Sequence, residues 1–198
     1  MIKFVDICES EPYQLLKKLY EKAQKKNQKN IEAFVVSSFS RKRDEVFSRY
    51  LNLKSVQKKE FIFFTNYLSP KAKQFREHNQ ISCLIFWNQI NAQIRLQGKV
   101  KKIPHSYNKK YFKQRDPYKN ALAISSRQSK KVSEYNAVVK NYEKIFHQED
   151  LTECPDYWGG YAFTPYYFEF WEGHSSRINK REVYELKNDS WTHFYIQP

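Results

Sequence analysis

The chain has 198 residues, 40% hydrophobic and 17% aromatic, a composition that excludes a disordered chain and supplies material for a packed, aromatic-rich core. Its net charge of +14 attracts anions, which leaves nucleic acid, phosphate esters and acidic membranes as partners that charge alone does not separate. Residues 1–14 lack the apolar core of a signal peptide and no other apolar run is long enough to span a bilayer, so an unexported cytoplasmic protein without a membrane partner is expected.

In chain order, Ser10 is a good N-cap, Glu11 and Pro12 suit a first turn, and Leu15, Leu16, Leu19, Tyr20 and Ala23 recur at helical spacing. This predicts an amphipathic helix over about 11–28, with the lysines of YEKAQKKNQKN on a solvated face. AFVVSSF, EVFSRYLNL, EFIFFT, ISCLIFW and NAQIRLQGKVKKI follow, all short and rich in β-branched or aromatic residues, and read as strands. Between the third and fourth, Ser69 can cap a short helix whose first residues are Pro70 and Lys71. Ser106 to Gln114 and Val132 to Phe146 have helical spacing, the latter through Tyr135, Val138, Val139, Tyr142 and Ile145. The finish is β-rich: GYAFTPYYFEFW, entered through a turn at Gly159-Gly160 and left at Gly173, then REVYELK and WTHFYIQ about an Asn188-Asp189-Ser190 turn.

Strands and helices do not alternate, so a parallel sheet is disfavoured and a mainly β chain with peripheral helices, an antiparallel barrel or sandwich, is expected. With no internal repeat or linker, 1–198 reads as a single domain, the helix followed by barrel and helices over about 31–198.

The signatures of self-sufficient catalysis are missing. There is no phosphate-binding glycine loop and no nucleophile elbow, and neither Cys8, Cys83 and Cys154 nor the five histidines have metal-ligand spacing, so no metal is expected. A catalytic role would rest on a cofactor. Arg49 alternates with Phe47, Leu51 and Leu53 and so faces the same side as core residues, which is costly unless an anion or a carboxylate partner meets it. Lys71 at a helix start can share an anion with the free N–H groups there, or be an exposed lysine. Gln93, Gln128 and Ser129 suit the polar edge of a heterocycle or a phosphate, and equally suit turns and caps.

Taken together, SRYLNLK (48–54), FIFFTNYLSPK (61–71), AQIRLQGKV (92–100), KKYFKQR (109–115), SSRQS (125–129), WGGYAFTPYYFEFWEG and RINKR (177–181) resemble the pyridoxamine/pyridoxine 5′-phosphate oxidases, FMN enzymes of the split-barrel fold. The resemblance runs from about Asp6 to Pro198 and rests on the order and spacing of these pieces. It implies an FMN-binding split β-barrel that assembles as a homodimer with FMN at the interface. It also implies oxidation of pyridoxamine or pyridoxine 5′-phosphate to pyridoxal 5′-phosphate by hydride transfer to the flavin, which O2 reoxidises with release of H2O2. By matching positions, Arg49, Lys54, Phe64, Thr65, Lys71, Gln93, Gln128, Ser129, Trp171 and Arg181 would contact FMN. Lys54, Tyr111, Arg115 and Lys119 would hold the substrate phosphate end, and Arg177 and Asn179 would face the substrate ring, with Arg177 the protein group nearest the reacting substrate. The chain departs from the family pattern at Pro70, where arginine is usual, at Lys119, where serine is usual, and at Asn179, where histidine is usual. An amide hydrogen-bonds but does not titrate near neutral pH. The oxidase is the leading reading, and these departures motivate an alternative, an FMN-binding split-barrel oxidoreductase or flavin-binding protein acting on a different small substrate. A third reading, a basic aromatic face for single-stranded nucleic acid, rests on generic composition, and no nucleic-acid partner is expected.

Overall fold

The computed structural model describes residues Met1–Pro198. Helix α1 spans Glu11–Lys25 and buries Pro12, Tyr13, Leu16, Leu19, Tyr20 and Ala23 on the face that the sequence spacing marks. It stops short of residue 28 because Asn27 takes a left-handed φ of 56°, which asparagine tolerates better than most residues. Ser10 sits at the N-cap without a capping bond; its hydroxyl lies 3.1 Å from Cys8 Sγ.

Nine strands follow the chain as β1 (Lys3–Val5), β2 (Ala33–Ser40), β3 (Glu45–Gln57), β4 (Glu60–Asn66), β5 (Gln80–Trp87), β6 (Ala92–Lys102), β7 (Trp158–Glu172), β8 (Lys180–Lys187) and β9 (Ser190–Tyr195). Their order is β1-β3-β2-β5-β6-β7-β8-β9, and β4 pairs with both β3 and β7, so that β3, β2, β5, β6, β7 and β4 close a ring. The mainly β architecture with peripheral helices is therefore present. Strand β1, three residues long and parallel to β3, is too short to announce itself by pattern.

By compactness the chain divides into two units whose segments interleave in sequence. The first holds Met1–Phe63, Gln74–Lys101 and Ala162–Pro198, and the second Phe64–Lys73 and Lys102–Tyr161. In the first unit the alternating residues Phe34 and Val36 of β2, Phe61 and Phe63 of β4, and Phe168 and Phe170 of β7 are buried. Two ring pairs of this core meet edge to face, Tyr13 with Phe168 at 5.1 Å and Phe34 with Phe63 at 5.6 Å, an arrangement aromatic quadrupoles prefer, while Phe168 and Phe170 stack at 5.9 Å.

The second unit carries helices α3 (His105–Lys113), α4 (Pro117–Ser125) and α5 (Tyr135–Gln148), while α2 (Pro70–Glu77) begins in it. Helix α4 was not anticipated, although Asp116 caps it by accepting from Tyr118 N–H and Pro117 opens it. Helix α5 starts three residues after Val132, which is exposed. The Gly159-Gly160 pair is not a turn: both residues lie inside β7 with no positive φ. Their purpose is close packing. A Cβ on Gly159 would lie 2.3 Å from both the Tyr67 hydroxyl and the Asn108 amide, while Gly160 N–H donates to Asn108 Oδ1 at 2.9 Å and its carbonyl accepts from Tyr67 at 3.0 Å.

Candidate flavin and substrate site

In the first unit, β3 and β2 pair so that Arg49 stands opposite Val36. Its side chain turns to the core side, as the alternation predicted, and Nη1 donates to Val36 O at 3.2 Å and Ser38 Oγ at 2.6 Å, while Nη2 donates to Gln74 Oε1 at 3.1 Å. Gln74 in turn accepts from the buried Ser38 hydroxyl at 2.6 Å. Every acceptor is neutral, and burial lowers the Arg49 pKa from its ordinary value. The guanidinium is therefore oriented without being neutralised, an arrangement that suits an anion. Lys54 lies further along the same strand, half-buried, and Gln93 is half-buried near the start of β6.

Trp171 and Arg181 face each other across β7 and β8. Arg181 is held by Glu169, whose Oε1 lies 2.8 Å from Nε and 2.7 Å from Nη2. Glu169 is 1% exposed and also accepts from Arg95 Nη1 at 2.7 Å and the Tyr167 hydroxyl at 2.9 Å. Burial and the bond to this carboxylate push the Tyr167 pKa up to about 12. Sequence reasoning missed Glu169 because its two arginines come from β6 and β8. The clue was the alternation Tyr167, Glu169, Trp171.

The loop from β7 to β8 carries Arg177 and Asn179. Arg177 is exposed and adopts φ 63°, while its N–H donates to His174 O at 2.9 Å. Asn179 Oδ1 accepts from His174 N–H at 3.0 Å. The amide that replaces the expected histidine thus ties the loop to itself.

In the second unit, α2 and the turn before it gather Lys71, Thr65 and Gln128. Lys71 Nζ donates to Thr65 Oγ1 at 3.0 Å, Ser69 Oγ at 3.2 Å and Gln128 Oε1 at 3.2 Å, and Thr65 and Gln128 are themselves 3.4 Å apart. These expected flavin contacts, far apart in sequence, meet at one point, and Lys71 is only 7% exposed, not the solvated lysine a surface reading would give. Ser129, next in the chain, is exposed with φ 65°. Gln128 also lines a cavity of about 450 Å3 with Asn66, Arg127, Lys130, Asn141 and Tyr157.

Phe64 stacks on Tyr111 at 3.9 Å and on Trp158 at 5.0 Å. The Arg115 guanidinium lies 5.0 Å from the centre of the Trp158 ring, a cation–π contact. Its Nη1 donates to Lys119 O at 2.7 Å and to Asn120 Oδ1 at 3.0 Å. Burial lowers its pKa, against the opposing influence of Tyr111 and Asp116, and burial likewise raises that of Tyr111. Lys119 meets Arg115 through its backbone carbonyl, while its side chain is exposed.

No group of His, Cys, Asp and Glu residues is arranged to hold a metal ion, and no helix is long and apolar enough to cross a membrane. Residues 20–149 match the family model described as pyridoxamine 5′-phosphate oxidase, and residues 158–198 match that of the pyridoxine 5′-phosphate oxidase C-terminal dimerisation region. A pyridoxine/pyridoxamine 5′-phosphate oxidase of Haemophilus influenzae is 36% identical over 159 residues, 76% of this chain and 72% of that protein. One from Leptospira interrogans is 31% identical over 192 residues, 96% of this chain and 89% of that protein. Among solved structures, PhzG from Burkholderia lata, in complex with tetrahydrophenazine-1-carboxylic acid, superposes with a TM-score of 0.90 at 25% identity, covering 96% of this chain and 93% of that one. An FMN-binding protein of Nostoc punctiforme, described as related to pyridoxamine 5′-phosphate oxidase, has a TM-score of 0.79 at 12% identity, over 96% of this chain and all of that one, and so shares the fold. With two thirds of its length matched by one family model, its C-terminal end by the companion model, and relatives above 30% identity along most of both chains, this chain belongs to the pyridoxine/pyridoxamine 5′-phosphate oxidase family.

Proposed function

We propose that this protein is an FMN-dependent oxidase that converts pyridoxamine or pyridoxine 5′-phosphate to pyridoxal 5′-phosphate, working as a cytoplasmic homodimer with FMN at the interface. The observation that carries the proposal is the Arg49 guanidinium, half-buried and hydrogen-bonded to neutral oxygens with no carboxylate among them. An FMN phosphate supplies the anion such a group needs. Lys71, with Thr65 and Gln128 around its ammonium, is proposed as a cofactor contact on its matching position. Lys54, Phe64, Gln93, Ser129, Trp171 and Arg181 are proposed as further cofactor contacts on their matching positions. Phe64 already has its flat face stacked, and Arg181 is fixed by Glu169.

When bound, FMN supplies the acceptor for the two electrons taken from the substrate carbon and passes them to O2, giving H2O2. The chain's own work is placement. Tyr111 and Arg115, with Lys54 and Lys119 at the rim, are assigned to the substrate phosphate, and Arg177 and Asn179 to the ring. Arg177, whose backbone N–H is tied to His174 O within the loop, would orient the ring and its reacting carbon.

The decisive experiment supplies purified, FMN-loaded protein with pyridoxine 5′-phosphate in air. Stoichiometric pyridoxal 5′-phosphate and H2O2 are expected, and bound flavin without turnover of either phosphorylated vitamer would overturn the assignment. A second reading, a different small substrate on the same flavin scaffold, is favoured by one observation: Asn179 Oδ1 is occupied by His174 N–H. PhzG, similar along nearly the whole chain, is described with a phenazine carboxylic acid. Restoring histidine with Asn179→His separates the readings, since a large gain in vitamer oxidation would mark a site that has moved to another substrate.

A further inference from the structure

Arg115 offers one edge of its guanidinium to the protein and keeps the other. Nη1 is taken by the Lys119 carbonyl and by Asn120 Oδ1, both neutral, and one face lies over Trp158. Nε and Nη2 have no protein acceptor, so the edge that could chelate a phosphate in bidentate fashion is the one left over.

What fixes that division is Asn120, which is 2% exposed. Its Nδ2 donates to Phe112 O at the end of α3 and to Leu151 O in the segment after α5, each at 2.9 Å. Two carbonyls accept only from an N–H group, so they determine which end of the amide is nitrogen. The oxygen is thereby forced toward Arg115, which can only donate. The orientation of the buried amide is set by two carbonyls, Leu151 O and Phe112 O, the latter also accepting from the Arg115 backbone N–H at 3.0 Å, and it is passed to the Arg115 guanidinium through one side-chain bond.

We infer that Asn120 is a positioning residue that sets the phosphate-binding edge of Arg115; this rests on the oxidase reading above. The bond from Arg115 to position 119 uses the backbone oxygen, so it does not depend on which side chain stands there.

The test is a double-mutant cycle on the FMN-loaded protein, read as the dissociation constant for pyridoxal 5′-phosphate and as KM and kcat for pyridoxine 5′-phosphate. Asn120→Ala is expected to weaken pyridoxal 5′-phosphate binding about tenfold, the size of one charge-assisted hydrogen bond, to raise KM in step and to leave kcat within about twofold. In an Arg115→Ala background the same substitution should have almost no further effect on affinity. An equal loss in both backgrounds, or none in either, would overturn the positioning role and leave the oxidase reading standing. Absence of pyridoxal 5′-phosphate binding by the unsubstituted protein would overturn both. Should Asn120→Ala not fold, Asn120→Asp keeps the oxygen and the shape while placing a carboxylate against Arg115. It should lose affinity for the phosphorylated ligand with FMN binding unchanged, and unchanged pyridoxal 5′-phosphate affinity would again overturn the inference.

Discussion

Arg49 and Glu169 show opposite ways of keeping a charge inside a sheet. Arg49 is held by a carbonyl, a hydroxyl and an amide oxygen, which orient it without cancelling its charge. Glu169 gathers Arg95, Arg181 and a tyrosine hydroxyl. The consequences for substitution differ in sign. Arg49→Met should weaken FMN binding by at least about tenfold, read by flavin fluorescence titration, yet leave the flavin-free protein as stable as before or more so, because it removes an uncompensated charge from a desolvated place. Glu169→Gln should cost about 2 kcal/mol or more in urea denaturation, since it strips a buried arginine partner; the figure is set below that of a fully buried pair because Arg95 is 42% exposed. Arg49 was legible in the sequence because alternation along one strand is a local signal. Glu169 was not, because its meaning depends on β6 and β8 arriving beside it, and the two arginines lie 74 and 12 residues away. Asn120 was illegible for the same reason, its partners including a carbonyl 31 residues on.

At the level of elements, strands and amphipathic helices follow from period and capping, and nearly all stand where the residues put them. The exceptions have physical causes: β1 is three residues long, α4 shows a weak apolar pattern despite its Asp116-Pro117 start, and the glycines of β7 serve close contact instead of a turn. Gly98 on β6 is a further case, since a Cβ there would lie 2.2 Å from Thr164 O and 2.8 Å from Pro165 Cα. Backbone cannot give way as a side chain does, so Gly98→Ala should destabilise by about 1–3 kcal/mol in thermal or urea melts. The pair β8–β9 carries a pH-dependent element. Burial raises the Glu182 pKa, but hydrogen bonds from Lys180 and Tyr184 together with the charges of Lys180 and His193 outweigh it, and the net shift is downward. A carboxyl with a depressed folded pKa contributes stability above its unfolded value of 4.5 and loses it as pH falls through the folded value. Glu182→Gln should therefore lower the melting temperature at pH 7, and the gap to the unsubstituted protein should close as the pH is taken below that range.

For the whole molecule, the match of residues 158–198 to a dimerisation region makes the oligomeric state a direct measurement: sedimentation should give a dimer, and the proposed site at the interface predicts that dilution into monomer releases flavin. The unpaired charge of Arg49 then acquires a meaning beyond binding. A ligand that meets it only in the folded state adds stability by mass action, about 2.7 kcal/mol at a hundredfold excess over its dissociation constant. FMN should raise the melting temperature of the protein accordingly, and the Arg49→Met variant should show a much smaller rise. Because cellular proteases draw on the unfolded population, newly made chains in a riboflavin-starved cell would be cleared faster than in a replete one. If FMN meets the guanidinium held by Val36, Ser38 and Gln74, that contact would couple how much of this protein persists to the cell's supply of flavin.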